Sequence, residues 1–562
     1  MNREEWSEML RENERMYDES VQLLRVPMNA TYHTALKAET HPYALGLYVS
    51  AQYAYQLLQD GEQTSANRAA QILRRLLPLQ DRDPARSTYG IWPYFYEESL
   101  DEMDRPDWNM ADFHGKLLCL ILKRHAGQLP EDLLAQIREA VHHACQAIIR
   151  RNVGPGYTNI AIMGAFVTLA GGELLGDEEI RSYGLARLTR FAEYTDAVGT
   201  FSEYNSPTYT IIAIQELHTI DCDCDTREAV RLAQELLDVA WEMIAVHYHA
   251  PTAAWGGPHS RTYSTELRLA ERRFLDEALL NEMFEFGENI RCPLKYRKLF
   301  AKTEQRYFTE PTMPAAETGY QVHATYYQNE RVSLGTFSRG VMWNQRRNLL
   351  AYVNADGRSV YVQLQFLMNG RDFCSAMFTG VQDRACVLFG INLLTDNGAW
   401  HSELDKIDGR FQASDLRIRL NVGGETEGLE PPQTGEGNTL RIRLGQERLV
   451  VRPVFERFDE GRLTAEIGHG EDGSIYLDYI IYAGEERAFD FHAVCKAVWV
   501  FALALNPDGE LPDVSVTEAA DSVSAAFSEH VSIRLAAAPG KTQELYALNQ
   551  VSADTPRRQI RY

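Results

Sequence analysis

Paired cysteines at zinc-ligand spacing are missing from this 562-residue chain. Its eight cysteines (119, 145, 222, 224, 292, 374, 386 and 495) are scattered, with no CxxC pair among them. No zinc site is expected, and the thiols are read as reduced. Basic excess is missing too. Formal net charge is −23, which argues against nucleic acid and anionic membranes as partners. No apolar run approaches the roughly 20 residues of a membrane span. The N-terminus, MNREEWSEMLRENERMYDES, has neither a basic leader nor an apolar signal core. The chain is therefore read as cytoplasmic, with no cofactor and no metal. A homo-oligomer is left open.

What is present is ordinary for a globular protein: 45% hydrophobic and 24% charged residues. The length allows two or three domains with a large core.

Residues 1–300 read as helix after helix. The pattern places helices at Pro42 to Leu58, 65–78, Asn109 to Lys123, 131–150, Thr158 to Leu174, 179–196, Thr208 to Leu217, 227–247 and 265–289. Apolar, Gly/Ala-rich segments such as TNIAIMGAFVTLAGG alternate with amphipathic ones such as EDLLAQIREAVHHACQAIIRR. Inner helices of an (α/α) toroid are buried all round and outer ones on one face, which predicts this alternation. His41, Asn109, Asn159, Asn205 and His259 recur before the apolar segments, at the spacing of a two-helix hairpin.

Near residue 300 the period changes from helical to two. QVHATYY, RVSLGTF, LLAYVNA, SVYVQLQFLM, ACVLFGINLL, DLRIRLNV, TLRIRLG, SIYLDYIIYAG and AVWVFALAL read as strands separated by Gly/Asn/Asp turns. The predicted fold is multidomain α+β. A toroid or incomplete barrel (1–300) and a linker (301–318, with Pro311 and Pro314) lead into an antiparallel β-sandwich (319–562).

Two short stretches carry chemistry. The first, Gly199-Thr-Phe-Ser-Glu-Tyr-Asn-Ser-Pro-Thr-Tyr209, is a loop entering a helix. Asn205 or Ser206 suits the cap and Pro207 the first turn. Glu203, Asn205 and Tyr209 then cluster at a helix N-terminus, which attracts anions. The second, Trp255-Gly-Gly-Pro-His-Ser-Arg-Thr-Tyr263, alternates His259, Arg261 and Tyr263 after a Gly-Gly-Pro turn. In an extended segment all three point to one side. A structural cap with a core tyrosine, and a solvated loop, are the competing readings.

The pattern Glu203-x-x-Ser206-Pro207-x-Tyr209 resembles the segment that carries the catalytic tyrosine of heparinase II/III-like polysaccharide lyases, and Asn159 falls where that family places its carboxylate-binding asparagine. The resemblance implies a helical toroid followed by a β-sandwich and a metal-independent β-elimination. The family's His- and Asp-rich motif in the β-domain is absent. GTFSRGVMWNQRRNLLAYV (335–353) stands there, offering Trp343, Asn344, Arg346 and Arg347. The chain therefore resembles a related toroidal lyase rather than a heparinase proper.

β-Elimination at a uronic acid needs three things: donors that neutralise the carboxylate, a base for the C5 proton, and an acid for the leaving oxygen. The assignments are Asn159 as neutraliser with Asn205 as helper, Tyr209 as acid with base character if an arginine lowers its pKa, His259 as base, Arg261 on the carboxylate, and Tyr263 as alternative acid or base. Trp108, Asn109, Asp112 and His114 would line a subsite. Trp92, Tyr94 and Tyr96 would stack on sugar rings. Trp343 and Arg346 would close the cleft. Cys222 and Cys224 in DCDCD read as an acidic turn, and His247 and His249 as structural. The expected partner is an anionic poly- or oligosaccharide. With no strongly basic clusters, unsulfated glucuronan-like or alginate-like chains fit better than heparin. Alternatives are a glycoside hydrolase using Asp112 and Glu203 as paired carboxylates, and a non-catalytic sugar-binding protein.

Overall fold

Burial sorts the helices as their sequences predict. In the computed structural model, residues 1–28, 33–280, 287–312, 320–402, 404–458 and 461–558 are described. The helices are α1 (Arg3–Met16), α2 (Leu47–Asp60), α3 (Gln63–Leu76), α4 (Met110–His125), α5 (Glu131–Arg151), α6 (Thr158–Leu175), α7 (Glu178–Val198), α8 (Pro207–Asp223), α9 (Arg227–His247), α10 (Leu269–Leu279) and α11 (Leu294–Ala301). Helices α2, α4 and α6 pack in succession, with α3 and α5 against them. Every residue from 158 to 172 in α6 is buried. Helix α5 buries one stripe, including Leu133, Ile137, Val141, Ala144 and Ile148. An inner helix has apolar neighbours on all sides, so it can afford no charge; an outer helix needs only a stripe. Helix α6 is also long and apolar enough to cross a membrane by length and composition, and 83% of it is buried inside the protein.

The chain forms two compact units. One comprises Met1–Asp196, Ile211–Ala240 and Leu275–Arg291; the other comprises Ala197–Thr210, Trp241–Phe274 and Cys292–Tyr562. The first is the helical unit. The second contains the two large antiparallel sheets together with the two stretches singled out above.

One sheet of the second unit runs in the order Thr464–His469, Ile475–Asp490, Arg410–Gly424, Arg358–Met368, Leu349–Ala355, Val332–Phe337, His323–Gln328, Arg306–Pro311. The other runs Gln433–Gly435, Thr439–Leu444, Glu447–Phe458, Ala497–Asn506, Cys386–Leu393, Ala376–Asp383, Arg339–Val341. Their inward residues, among them Leu364, Phe366, Phe378, Phe389, Leu420, Leu477, Trp499 and Phe501, form one core. Alternation along each strand delivers these side chains to the shared face, which makes this an antiparallel β-sandwich. A four-stranded sheet from Ser515–Glu518 to Gln550–Ser552 follows.

Several details differ from the sequence reading. Tyr43–Gly46, expected to open a helix, is a strand paired with Leu23–Pro27. His41 therefore precedes a strand rather than an inner helix. Helix α10 begins at Leu269, four residues later than expected. Thr265 is held by Gln363 of the sheet, and Glu271 caps the backbone N–H of Arg268. His259 thus lies ten residues before the helix it was expected to introduce. Arg306–Pro311, inside the expected linker, is a strand paired with His323–Gln328. Pro314 lies outside the described residues. Ala376–Asp383 and Glu447–Phe458 are strands that the pattern did not single out.

Candidate active site

The loop 199–206 is shaped by one asparagine. Asn205 has a positive φ of 48°, a conformation Asn tolerates better than most residues. It is fully buried. Its amide nitrogen donates to the carbonyls of Gly256 and Pro258 at 2.8 and 3.0 Å, and its oxygen accepts from the Trp255 indole at 2.5 Å. No donor is left for a substrate carboxylate, so the expected helper role is corrected: Asn205 ties the two loops together. Ser206 is the cap of α8, its hydroxyl accepting from the Tyr209 N–H at 3.2 Å and donating to the Arg261 carbonyl.

The second loop is stitched to the segment 345–347. His259 and Arg347 exchange backbone hydrogen bonds of 3.2 and 2.9 Å, and the Thr262 N–H donates to the Gln345 carbonyl at 2.6 Å. His259 is 1% exposed, whereas Tyr263 is 48% exposed. The three alternating residues therefore do not share one open face. The His259 Nδ1–H donates to the Asn205 carbonyl at 2.6 Å. Burial pushes its pKa down to about 3, so the ring is neutral.

Arg261 is the hub. Its Nε donates to Gln345 Oε1 at 2.9 Å, Nη1 to Glu203 Oε1 at 3.3 Å and Nη2 to the Tyr263 hydroxyl at 3.3 Å. The guanidinium lies 4.5 Å from the centre of the Tyr209 ring and 5.8 Å from that of Trp343. The Tyr209 and Tyr263 hydroxyls are 2.7 Å apart. Arg261 pulls the Tyr209 pKa down, but burial and the Tyr263 hydrogen bond outweigh it, and the net shift is upward. The lowered pKa expected of a basic Tyr209 is therefore not found. Arg346 Nε donates to the Ser260 carbonyl at 3.4 Å and braces the loop. Sequence reasoning passed over Gln345. It sat between the flagged Asn344 and Arg346, and no spacing rule marks a neutral amide as an arginine's anchor.

The other candidates belong to the helical unit. Asn159 is in the first turn of α6, 6% exposed, with Oδ1 buried and unpartnered. Trp92 is fully buried, donates to the Leu76 carbonyl at 3.2 Å and stacks on His114 at 4.7 Å. Neither ring reaches a sugar. The expectations of Trp92 stacking and of His114 lining a subsite are both corrected, because the two rings pack the helical core. Tyr94 donates to Asp107 at 2.6 Å. Asn109 accepts from Arg151 at 2.6 Å. Trp108 is 38% exposed and remains accessible.

Asp112 is buried, and burial pushes its carboxyl up to about 7 against the pull of Arg187 and Arg151. It packs at the close approach of Gly164 and Arg187. Arg187 in turn donates to the Ile160 and Ala161 carbonyls. A carboxyl inside a helix interface is poorly placed as a glycosidase acid. Among the described residues, His218, Asp221 and Cys222 approach within 4.8 Å at the end of α8, and the His218 Nε2 already meets the Glu288 carbonyl at 2.7 Å. His247 and His249 bond to the Met243 and Asn329 carbonyls and are structural.

Residues 6–271 match the model of a domain of unknown function (DUF8769). No curated protein matches the sequence. Among solved structures, the chain is similar to the heparan sulfate lyase HepC from Pedobacter heparinus, with 10% identity over 91% of this chain and 82% of that one, at a TM-score of 0.36. It is also similar to the chondroitin AC lyase of Streptomyces coelicolor A3, with 11% identity over 95% and 84% of the two chains, at a TM-score of 0.45.

Proposed function

We propose that the protein is a polysaccharide or oligosaccharide lyase that cleaves 4-linked uronic acids by β-elimination. The observation that carries the reading is the Tyr209–Tyr263 phenol pair beneath the Arg261 guanidinium, with Glu203 and Gln345 fixing the arginine. The phenolate form of this pair takes the C5 proton. The C5–H electrons move into the enolate of the uronate carboxyl, then form the C4–C5 double bond as the C4–O4 bond breaks. The same phenol returns the proton to O4. Each cycle leaves a shortened chain and a 4,5-unsaturated uronate, with no external oxidant or reductant.

Arg261 offsets negative charge on the phenol pair while its side chain is already ordered. Tyr263, the exposed member, meets the substrate; Tyr209 shares the proton from behind. His259 positions the loop, since its Nδ1–H is committed and its ring is buried. Trp343, beside Arg261, is the candidate apolar wall.

The test is ultraviolet absorbance during incubation with glucuronan, alginate, hyaluronan, heparan sulfate and ulvan. The reading expects a rise with at least one polymer, abolished in Tyr263→Phe and Tyr209→Phe. New reducing ends without absorbance would replace elimination with hydrolysis. Saturable binding without either signal would leave a sugar-binding protein.

A further inference from the structure

The second unit holds a cavity of about 380 Å³ that the proposed chemistry does not use. Strands Arg306–Pro311 and His323–Gln328, the short strand Arg339–Val341 and the C-terminal segment past Gln550–Ser552 supply its walls. Thr309, His323, Thr325, Ser338, Arg339 and Arg557 bring two guanidiniums, an imidazole and three hydroxyls to one space. Among the described residues no carboxylate lines it. The chain as a whole carries a net charge of −23, so a cavity whose described lining holds two arginines departs locally from that balance.

These cations have spare valence. Arg339 donates through Nη1 to the Tyr546 carbonyl at 2.8 Å, while its Nε is buried without a partner. His323 Nδ1 is likewise buried and unpartnered. Buried polar atoms are normally satisfied, so these two are exceptions that a bound group would help to explain. Among the described residues, neither Arg339 nor Arg557 is within ion-pair distance of a carboxylate. Burial first, and the charges of Arg557 and Arg339 after it, hold the His323 pKa below its usual value. The Ser338 hydroxyl accepts from the His323 backbone N–H at 2.9 Å, so its own hydrogen is free to turn into the cavity.

We propose that this cavity binds a small oxyanion, a carboxylate, sulfate or phosphate group carried on a molecule no larger than about one sugar residue. Its volume falls in the range of small-molecule sites, about 300–1,000 Å³. Guanidiniums match oxyanions through paired N–H donors, and the Ser338 hydroxyl, whose hydrogen is uncommitted, can serve a remaining lone pair. The site is assembled from segments near 309, 323, 339 and 557, which explains why no basic run announces it in the sequence. It stands independently of the lyase reading.

The test is calorimetric titration of the full chain with sodium sulfate, sodium phosphate, sodium glucuronate and glucose at constant ionic strength. The expected result is saturable one-site binding of at least one anion and none of glucose. The Arg557 side chain is exposed, so Arg557→Gln should leave the fold intact, as a melt would check, and weaken binding about tenfold, the cost of one charge-assisted contact. Arg339→Gln should do the same, and Arg410→Gln, on a strand five places across the sheet from Arg306–Pro311, should not. Glucuronate binding more tightly than the inorganic ions would identify a sugar acid; sulfate or phosphate alone would identify a free inorganic oxyanion. No saturation by any anion up to about 10 mM, ten times a weak 1 mM affinity, would overturn the proposal. So would glucose binding as well as glucuronate, or an unchanged affinity in Arg557→Gln.

Discussion

Gly256→Ala should damage the candidate site without touching any of its functional side chains. A Cβ at Gly256 would lie 2.5 Å from Ser333 Oγ and 2.7 Å from Tyr326 Cε2. Carbon atoms settle at about 3.5 Å, so something must move by about 0.8 Å. The serine hydroxyl can rotate away. The Tyr326 ring cannot, because it is fully buried and its hydroxyl bonds the His247 carbonyl at 3.0 Å and Gln328 at 2.7 Å. The loop therefore yields. Its Gly256 carbonyl is held by Asn205, so the shift passes to both loops at once, and the Tyr209–Tyr263 bond of 2.7 Å opens. Overpacking of this kind costs about 1–3 kcal/mol, and a misplacement near 1 Å costs about 100-fold in rate. Denaturant melts would read the first and initial rates on the accepted polyuronate the second. Gly468→Ala is the control, since its Cβ meets only ordinary contacts from 3.5 Å outward. A Gly256→Ala protein with the stability and rate of the wild type would refute the idea that the sandwich face sets the site's geometry.

Four further outcomes follow from the same structure. Arg261→Met should lower the rate about 10²–10³-fold, as removal of a preorganised charge-stabilising donor does, while Arg261→Lys should restore part of it; initial rates and melts on both separate charge from packing. If the phenol pair is the base, the raised Tyr209 pKa leaves little phenolate at neutral pH, so the rate should climb about tenfold per pH unit through the neutral range. A flat profile from pH 5 to about 9 would instead mark His259, neutral above its pKa of about 3, as the base. His114, His247 and His259 sit near 3 and His249 near 4, all lowered chiefly by burial. Their contribution is complete above the unfolded value of about 6.5 and falls by about 1.4 kcal/mol per group per unit below it, which melts between pH 7 and 5 would register. Asp112 has the opposite sense: its folded pKa of about 7 is raised, so stability is lost as pH climbs from about 4 to 7. Asp112→Asn should therefore gain stability over the wild type at pH 8 and lose that advantage near pH 4.

The fold class was readable because it rests on repeating patterns. Helix α6 is apolar all round and α5 on one stripe, and both follow from the spacing of a few residue types. Strand alternation was equally plain in Arg410–Gly424 and Thr439–Leu444. Ala376–Asp383 was missed because seven of its eight residues are buried, which erases the alternation. At the candidate site, the sequence named Tyr209, Arg261 and Tyr263, which the fold brings within reach of one another. It misjudged Asn205, whose type and position suit a substrate amide and a loop tie equally well. Trp92 was misjudged because an indole in an insertion looks the same whether it faces sugar or Leu76. Only the third dimension distinguishes these, as it does Gln345, 84 residues from the arginine it anchors.

Arg261 also explains why two tyrosines are present where one phenol would do the chemistry. A single phenol at Tyr209 is mostly buried, and burial alone keeps its proton on. A single phenol at Tyr263 is open to water, whose high dielectric weakens the attraction of a cation 3.3 Å away. Paired at 2.7 Å, the buried ring sits 4.5 Å from the guanidinium, while the exposed hydroxyl faces outward to exchange the proton. A charge on Tyr263 then accepts a hydrogen bond from the Tyr209 hydroxyl while the arginine lies beside both. Tyr209→Phe and Tyr263→Phe should for this reason each remove nearly as much activity as the double variant. Losses that instead multiply in the double variant would show two phenols acting independently.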